Sequence, residues 1–217
     1  MKTRIIKTHK RSFDIKKPTR LTITLFILCV LSVLSLGRVL GGEKSQSIFS
    51  LKTKTPANTE FSMDSLGKNK ASVLVFLSES CPICQKYSPT LRKLYQDFSA
   101  QNIGFYGVYP SMFIAQDSVV SFAKKYNLPF TMLIDSNQQI TNTLKAKITP
   151  EVFVLSQEGK ILYRGRIDNL FPAIGRKRTN ATTHELQDVL SAIVNNASIQ
   201  VKESEPVGCF IEFVGVK

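Results

Sequence analysis

The segment that most constrains this chain is Val73-Leu74-Val75-Phe76-Leu77, followed after Ser78-Glu79-Ser80 by Cys81-Pro82-Ile83-Cys84. Five consecutive apolar residues mark a strand buried on both faces, the kind found in parallel or mixed sheets flanked by helices. Over residues 82–100 the side chains of Ile83, Tyr87, Leu91, Leu94, Tyr95 and Phe98 recur at helical spacing. The two cysteines therefore stand where a strand hands over to a helix. A helix N-terminus presents unpaired N–H groups and a partial positive charge. A thiolate there is stabilised, so Cys81 is the attacking sulfur. Pro82 suits the first helical turn, where its missing N–H leaves no unmet bond. Cys84, one turn further in, can resolve a mixed disulfide or close a reversible one with Cys81.

The rest of the pattern extends this start. Strands are expected at 103–109, 130–134, 151–155 and 160–164, and helices at 118–126, 139–146 and 183–194. Gln157-Glu158-Gly159 separates two apolar runs and predicts a hairpin. Thr182 or Thr183 is placed to cap the last helix, with Glu185 in its first turn. Parallel crossovers followed by an antiparallel hairpin give an α/β domain with a mixed central sheet and helices on both faces.

Charge separates the N-terminus from this domain. The chain of 217 residues carries a net +13, which invites a nucleic-acid reading. Residues 1–20 hold eight basic side chains and one acid, more than half of that surplus. Sixteen uncharged, mostly apolar residues follow, from Leu21 to Leu36. A basic lead before such a run reads as a transmembrane or signal-anchor segment over 21–40, with a cleavable signal as the alternative. The positive lead stays inside, so the remainder is exported. Nucleic acid is then not needed as a partner. Residues 41–60, rich in Lys, Ser, Thr and Asn, read as a linker. The domain is expected over 61–200, with a C-terminal tail over 201–217 containing an edge strand.

Four cysteines in a chain of this length are not a disulfide scaffold. Cys29 falls in the apolar segment. A zinc site wants about four ligands, and only Cys209 and His184 remain in the domain beside the pair. Covalent haem attachment requires His after the second cysteine, where Gln85 stands. Two thiolates leave Cu(I) open as a soft-metal alternative. Cys209, in Gly208-Cys209-Phe210-Ile211, reads as a small apolar residue or else as a third redox or partner-linked thiol. Glu79 and Glu151 are the carboxylates nearest the pair in sequence. Either is a proton acceptor for Cys84 or has a solvated or capping role.

The strand-Cys81-Pro82-Ile83-Cys84-helix unit resembles the thioredoxin superfamily. Thr149-Pro150, ahead of Glu151-Val152-Phe153-Val154-Leu155, resembles the cis-proline element of that fold, which faces the cysteine pair and holds backbone groups open for a substrate strand. Residues 61–213, with Tyr163-Arg164-Gly165-Arg166-Ile167-Asp168 and the Gly208-Cys209-Phe210-Ile211 tail, are similar to bacterial redoxin-domain proteins of the peroxiredoxin type and to membrane-anchored thiol-disulfide proteins. Residues 110–147 resemble the insertion that extracytoplasmic members carry. The chain departs from thioredoxins in having no Trp, Ser80 before the first cysteine, and Val75 where a buried acid is usual. It departs from peroxidases in having Leu74 and Leu77 where their proline would stand.

The resemblance implies an exported thiol-disulfide oxidoreductase. Cys81 and Cys84 exchange electrons with partner-protein dithiols or disulfides, Thr149 and Pro150 shape the substrate face, and Pro82 supports the helix start. No dissociable cofactor or metal is called for. A membrane thiol donor or acceptor completes the circuit. A Cu(I) carrier and a thiol-dependent antioxidant peroxidase are the alternatives.

Overall fold

The computed structural model describes residues 47–213; the basic lead and the segment 21–40 lie outside them. Its elements in chain order are β1 (Lys52–Lys54), β2 (Glu60–Ser62), β3 (Ala71–Phe76), α1 (Pro82–Phe98), β4 (Ile103–Tyr109), α2 (Gln116–Lys125), β5 (Thr131–Ile134), α3 (Gln139–Leu144), β6 (Ile148–Thr149), β7 (Glu151–Ser156), β8 (Ile161–Gly165), α4 (Glu185–Val194) and β9 (Cys209–Phe210). Seven strands form one sheet in the order β2-β1-β5-β4-β3-β7-β8, and β6 and β9 form a separate two-stranded ribbon.

The apolar run at 73–77 lies at the centre. All six residues of β3 are buried. It pairs in parallel with β4 and antiparallel with β7, so neither its faces nor its edges meet water. Alternation along the strands divides the core in two. Val73, Val75, Val152 and Val154 pack on one face with Tyr87, Leu91 and Leu94 of α1 and Leu186, Val189 and Leu190 of α4. Leu74, Phe76, Phe153 and Leu155 pack on the other with Ile140 and Leu144 of α3. The expected mixed sheet flanked by helices is thus present.

α1 contains Pro89 in its interior. Proline cannot donate to the carbonyl four residues back. The ring is exposed, and the helix continues beneath it through the buried residues Tyr87, Ser88 and Leu91. The predicted hairpin joins β7 to β8: Gly159 donates to Ser156 O and adopts φ +78°, a conformation that suits glycine.

Two expectations need correction. Residues 41–60 read as a linker by composition, but the described part is folded. Ile48 and Leu51 are buried, β1 pairs with β2, and Lys54 pairs with Ile134 of β5. A polar composition suits an edge ribbon with its strands half in water, and there composition does not separate strand from linker. The expected C-terminal strand is present, paired with β6 in the two-stranded ribbon. Last, neither Thr182 nor Thr183 caps α4. His184 holds the cap position without a side-chain bond. Thr183 is diverted, its hydroxyl donating to the Glu185 carboxylate at 2.7 Å.

Candidate active site

Cys81 occupies the N-cap of α1 with extended backbone (φ −78°, ψ 114°), and Pro82 begins the helix. Its carbonyl accepts the Gln85 N–H at 3.2 Å, and its own N–H reaches Ser78 O at 3.3 Å. Gln85 Nε2 donates to Glu79 O at 3.1 Å, tying the approach loop to the first turn. One turn further along α1, the Tyr87 hydroxyl donates to Asp168 Oδ1 at 2.7 Å and packs its ring on Phe171. This fixes the start of the helix against the segment that follows β8. The apolar stripe and the hydrogen bonds together hold the cysteine pair at the end of the sheet.

Cys81 and Cys84 are both buried and both free thiols. They are electrostatically unlike. The Cys84 thiol donates a hydrogen bond to Cys81 and is the largest influence on it; with a smaller bond from Cys209, it outweighs burial and lowers the Cys81 pKa to about 5. Burial, and then the neighbouring Cys81 sulfur, push Cys84 well above the ordinary thiol value. The pair is therefore one thiolate nucleophile and one protonated partner held beside it.

The Thr149–Pro150 peptide bond is cis. Cys81 Sγ lies 3.2 Å from Thr149 O, so the structure brings three of the expected site residues, Cys81, Cys84 and Thr149, into one cluster, with Pro150 next in the chain. Pro82 stands on the exposed side of the first turn. Glu151 is buried. Its carboxylate accepts the N–H groups of Lys147 (2.9 Å) and Ile148 (3.3 Å) and braces the loop that leads into Thr149. Glu79 contributes its carbonyl to Gln85.

Cys209 is not the buried apolar residue that its sequence context suggested. It is partly exposed, and its Sγ lies 2.8 Å from Cys81 Sγ. β9 carries it there by pairing Cys209 with Thr149 and Phe210 with Ile148. Burial and the Cys81 sulfur raise its pKa to about 11. Glycine at 208 permits the approach, because a Cβ there would lie 2.1 Å from Thr149 O.

Sequence reasoning also missed the rim. A groove of about 590 Å³ beside the cysteines is lined by the loop after β4, the approach loop and the C-terminal strand. Phe113 is 88% exposed and Phe210 78%, with Met112 also exposed. The buried Tyr109 hydroxyl, also in this lining, has no hydrogen-bond partner among the described residues. Met112, Phe113 and Phe210 lie on a loop and a short terminal strand, where no periodicity marks them. Among the described residues no group of three or more His, Cys, Asp or Glu side chains is arranged to hold a metal ion.

This combination of mixed sheet, reactive cysteine at a helix start and facing cis-proline belongs to the thioredoxin-like fold class. A secreted disulfide oxidoreductase of Mycobacterium tuberculosis, homologous to DsbE of E. coli, superposes with a TM-score of 0.50 at 23% identity, covering 70% of this chain and 98% of that one. A hypothetical protein of Sinorhizobium meliloti 1021 superposes with a TM-score of 0.68 at 20% identity, covering 76% and 92%. The chain belongs to the AhpC/TSA family, whose model matches residues 45–164. In sequence it is similar to the thiol-disulfide oxidoreductase ResA of Bacillus subtilis, 26% identical over 95 residues, which is 44% of this chain and 52% of that protein. ResA of Bacillus cereus is 25% identical over 95 residues, 44% of this chain and 54% of that protein. The chain thus spans about half the length of the curated relatives it matches.

Proposed function

We propose that this protein is an exported, membrane-tethered thiol-disulfide oxidoreductase acting on partner proteins. The observation that carries the reading is the placement of the pair: Cys81 at the N-cap of α1, 3.2 Å from Thr149 O, with the buried free thiol of Cys84 one turn further in and held protonated by that burial. In the reducing direction, Cys81 attacks one sulfur of a substrate disulfide, forming a mixed disulfide and releasing one substrate thiolate. Cys84 then loses its proton and attacks Cys81 Sγ. The Cys81–Cys84 disulfide forms, and the second substrate thiol leaves with a proton. The reverse sequence oxidises a substrate dithiol. A membrane thiol partner resets the pair. The exposed apolar rim at Met112, Phe113 and Phe210 favours an extended polypeptide over a small thiol as substrate. The relatives named as thiol-disulfide oxidoreductases support the activity. The basic lead and the apolar segment 21–40 support tethering and export.

The test is turnover of a protein disulfide, such as insulin, with dithiothreitol as reductant. Cys81→Ser is expected to abolish turnover, while the double variant Cys84→Ser/Cys209→Ser, which leaves Cys81 no neighbouring thiol, accumulates a mixed disulfide with substrate. Turnover that survives Cys81→Ser overturns the reading.

A further inference from the structure

The third thiol has no part in the exchange just described, yet it touches the attacking sulfur. We propose that β9 is a built-in occupant of the substrate edge and that its Cys209 is a third exchanging thiol, forming an alternative disulfide with Cys81. This rests on the thiol-disulfide reading above and adds an internal competitor to it.

Two observations converge. First, Cys209 Sγ stands 2.8 Å from Cys81 Sγ, closer to that sulfur than Thr149 O at 3.2 Å. Second, the backbone carrying Cys209 lies antiparallel to Ile148–Thr149, the stretch that ends at Pro150. A strand added at an exposed backbone edge is the general way a sheet protein holds an extended peptide. The chain's own tail fills that edge here, with a cysteine at the register position that meets the nucleophile. The pairing is reinforced on both sides. Ile211 N donates to Lys147 O at 2.9 Å, and Thr149 Oγ1 to Cys209 O at 3.4 Å. Gly208 lets the strand approach Thr149 this closely.

The chemistry balances without an added oxidant. Starting from the Cys81–Cys84 disulfide, the Cys209 thiolate attacks Cys81 Sγ. The bond between Cys81 and Cys84 breaks, a bond between Cys81 and Cys209 forms, and Cys84 leaves and takes up the proton that Cys209 lost. The same attack on a Cys81–substrate mixed disulfide expels the substrate as a thiol. Cys209 is less buried than Cys84, so the exchange brings the oxidising equivalent from the core to the rim. A polypeptide substrate must lift β9 from β6 before it can pair at Thr149.

The experiment uses the full chain with Cys29→Ser, so that only the domain thiols report. Reduced protein carrying Cys84→Ser is treated with 5,5′-dithiobis(2-nitrobenzoate). Released nitrothiobenzoate, retained adduct and peptide linkages are then measured. The expected result is two equivalents released, no adduct retained, and a peptide linking Cys81 to Cys209. Adding Cys209→Ser should leave one equivalent released and the adduct held on Cys81. Adding Gly208→Ala instead, which drives β9 away from Thr149, should slow closure of the second disulfide about a hundredfold. An adduct retained on Cys81 while Cys209 is present overturns the proposal but leaves Cys81 a nucleophile. No release at all overturns the exchange reading itself, and the proposal with it. Should Cys84→Ser fail to fold, substoichiometric oxidation of the Cys29→Ser protein with acid quenching replaces it. A Cys81–Cys209 peptide beside the Cys81–Cys84 one supports the proposal, and Cys81–Cys84 alone overturns it.

Discussion

At the scale of single residues, the reactivity of Cys81 comes from the protons its neighbours keep. Cys84 leads in lowering its pKa to about 5, so removing that thiol returns Cys81 toward the ordinary value of about 8.5. The rate of iodoacetamide alkylation at Cys81 should rise through pH 5 and then level off. In Cys84→Ala the inflection should move upward, because the thiolate has lost its principal hydrogen-bond donor. Glu151 shows a different kind of dependence. Burial raises its pKa, against the two backbone N–H groups it accepts and nearby Arg164 and Lys147. Glu151→Ala would strand the N–H groups of Lys147 and Ile148 beside Thr149. A loss of about 1–3 kcal/mol is expected from urea denaturation, together with slower disulfide exchange.

At the scale of elements, what matters is how helices and hairpins are locked to one another. Arg166, just after β8, holds Glu185 at the start of α4. Its Nε donates to Glu185 Oε1 at 2.9 Å, its Nη2 joins the same oxygen, and the Thr183 hydroxyl adds a third bond. The Glu185 side chain is only 8% exposed. Burial pulls its pKa up, but the bonds from Arg166 and Thr183 outweigh this and hold it below the ordinary carboxylate value. Because the folded pKa is depressed, the stabilisation is present above the unfolded carboxylate range and is lost as pH falls through the folded value. Arg166→Ala should therefore cost about 1.5–3 kcal/mol at pH 7 and progressively less toward pH 3, read from denaturation midpoints across that range.

At the scale of the whole molecule, the fold controls which redox state is favoured. Stabilising the Cys81 thiolate stabilises the reduced form and so makes the disulfide more oxidising. Thioredoxin combines a thiol pKa of about 7 with about −270 mV, and a strongly oxidising disulfide donor combines about 3.5 with about −120 mV. With Cys81 near 5, a potential between those limits is expected in a glutathione redox buffer. Reduction above pH 5 takes up one proton for two electrons, since Cys84 stays protonated and Cys81 does not. The potential should then fall by about 30 mV per pH unit, steepening to about 59 mV below pH 5.

The central architecture and the position of two cysteines at a helix start were legible in the chain's local pattern. Val73–Phe76 is apolar at every position, as suits a strand buried on both faces, and helical spacing begins at the residue after Cys81. Those signals are local, because propensity, periodicity and the hydrogen-bond deficit of a helix start all act within a few residues. Tertiary structure alone decided what crosses long separations. β1 and β2 carry polar residues that earn a place only by pairing at a sheet edge, so composition reads them as a linker. Cys209 lies 128 positions from Cys81, and nothing near it in sequence distinguishes a core thiol from one resting on the nucleophile. That choice was made by β9 pairing with two residues ahead of Pro150, a contact specified by backbone geometry rather than by any pattern of side chains.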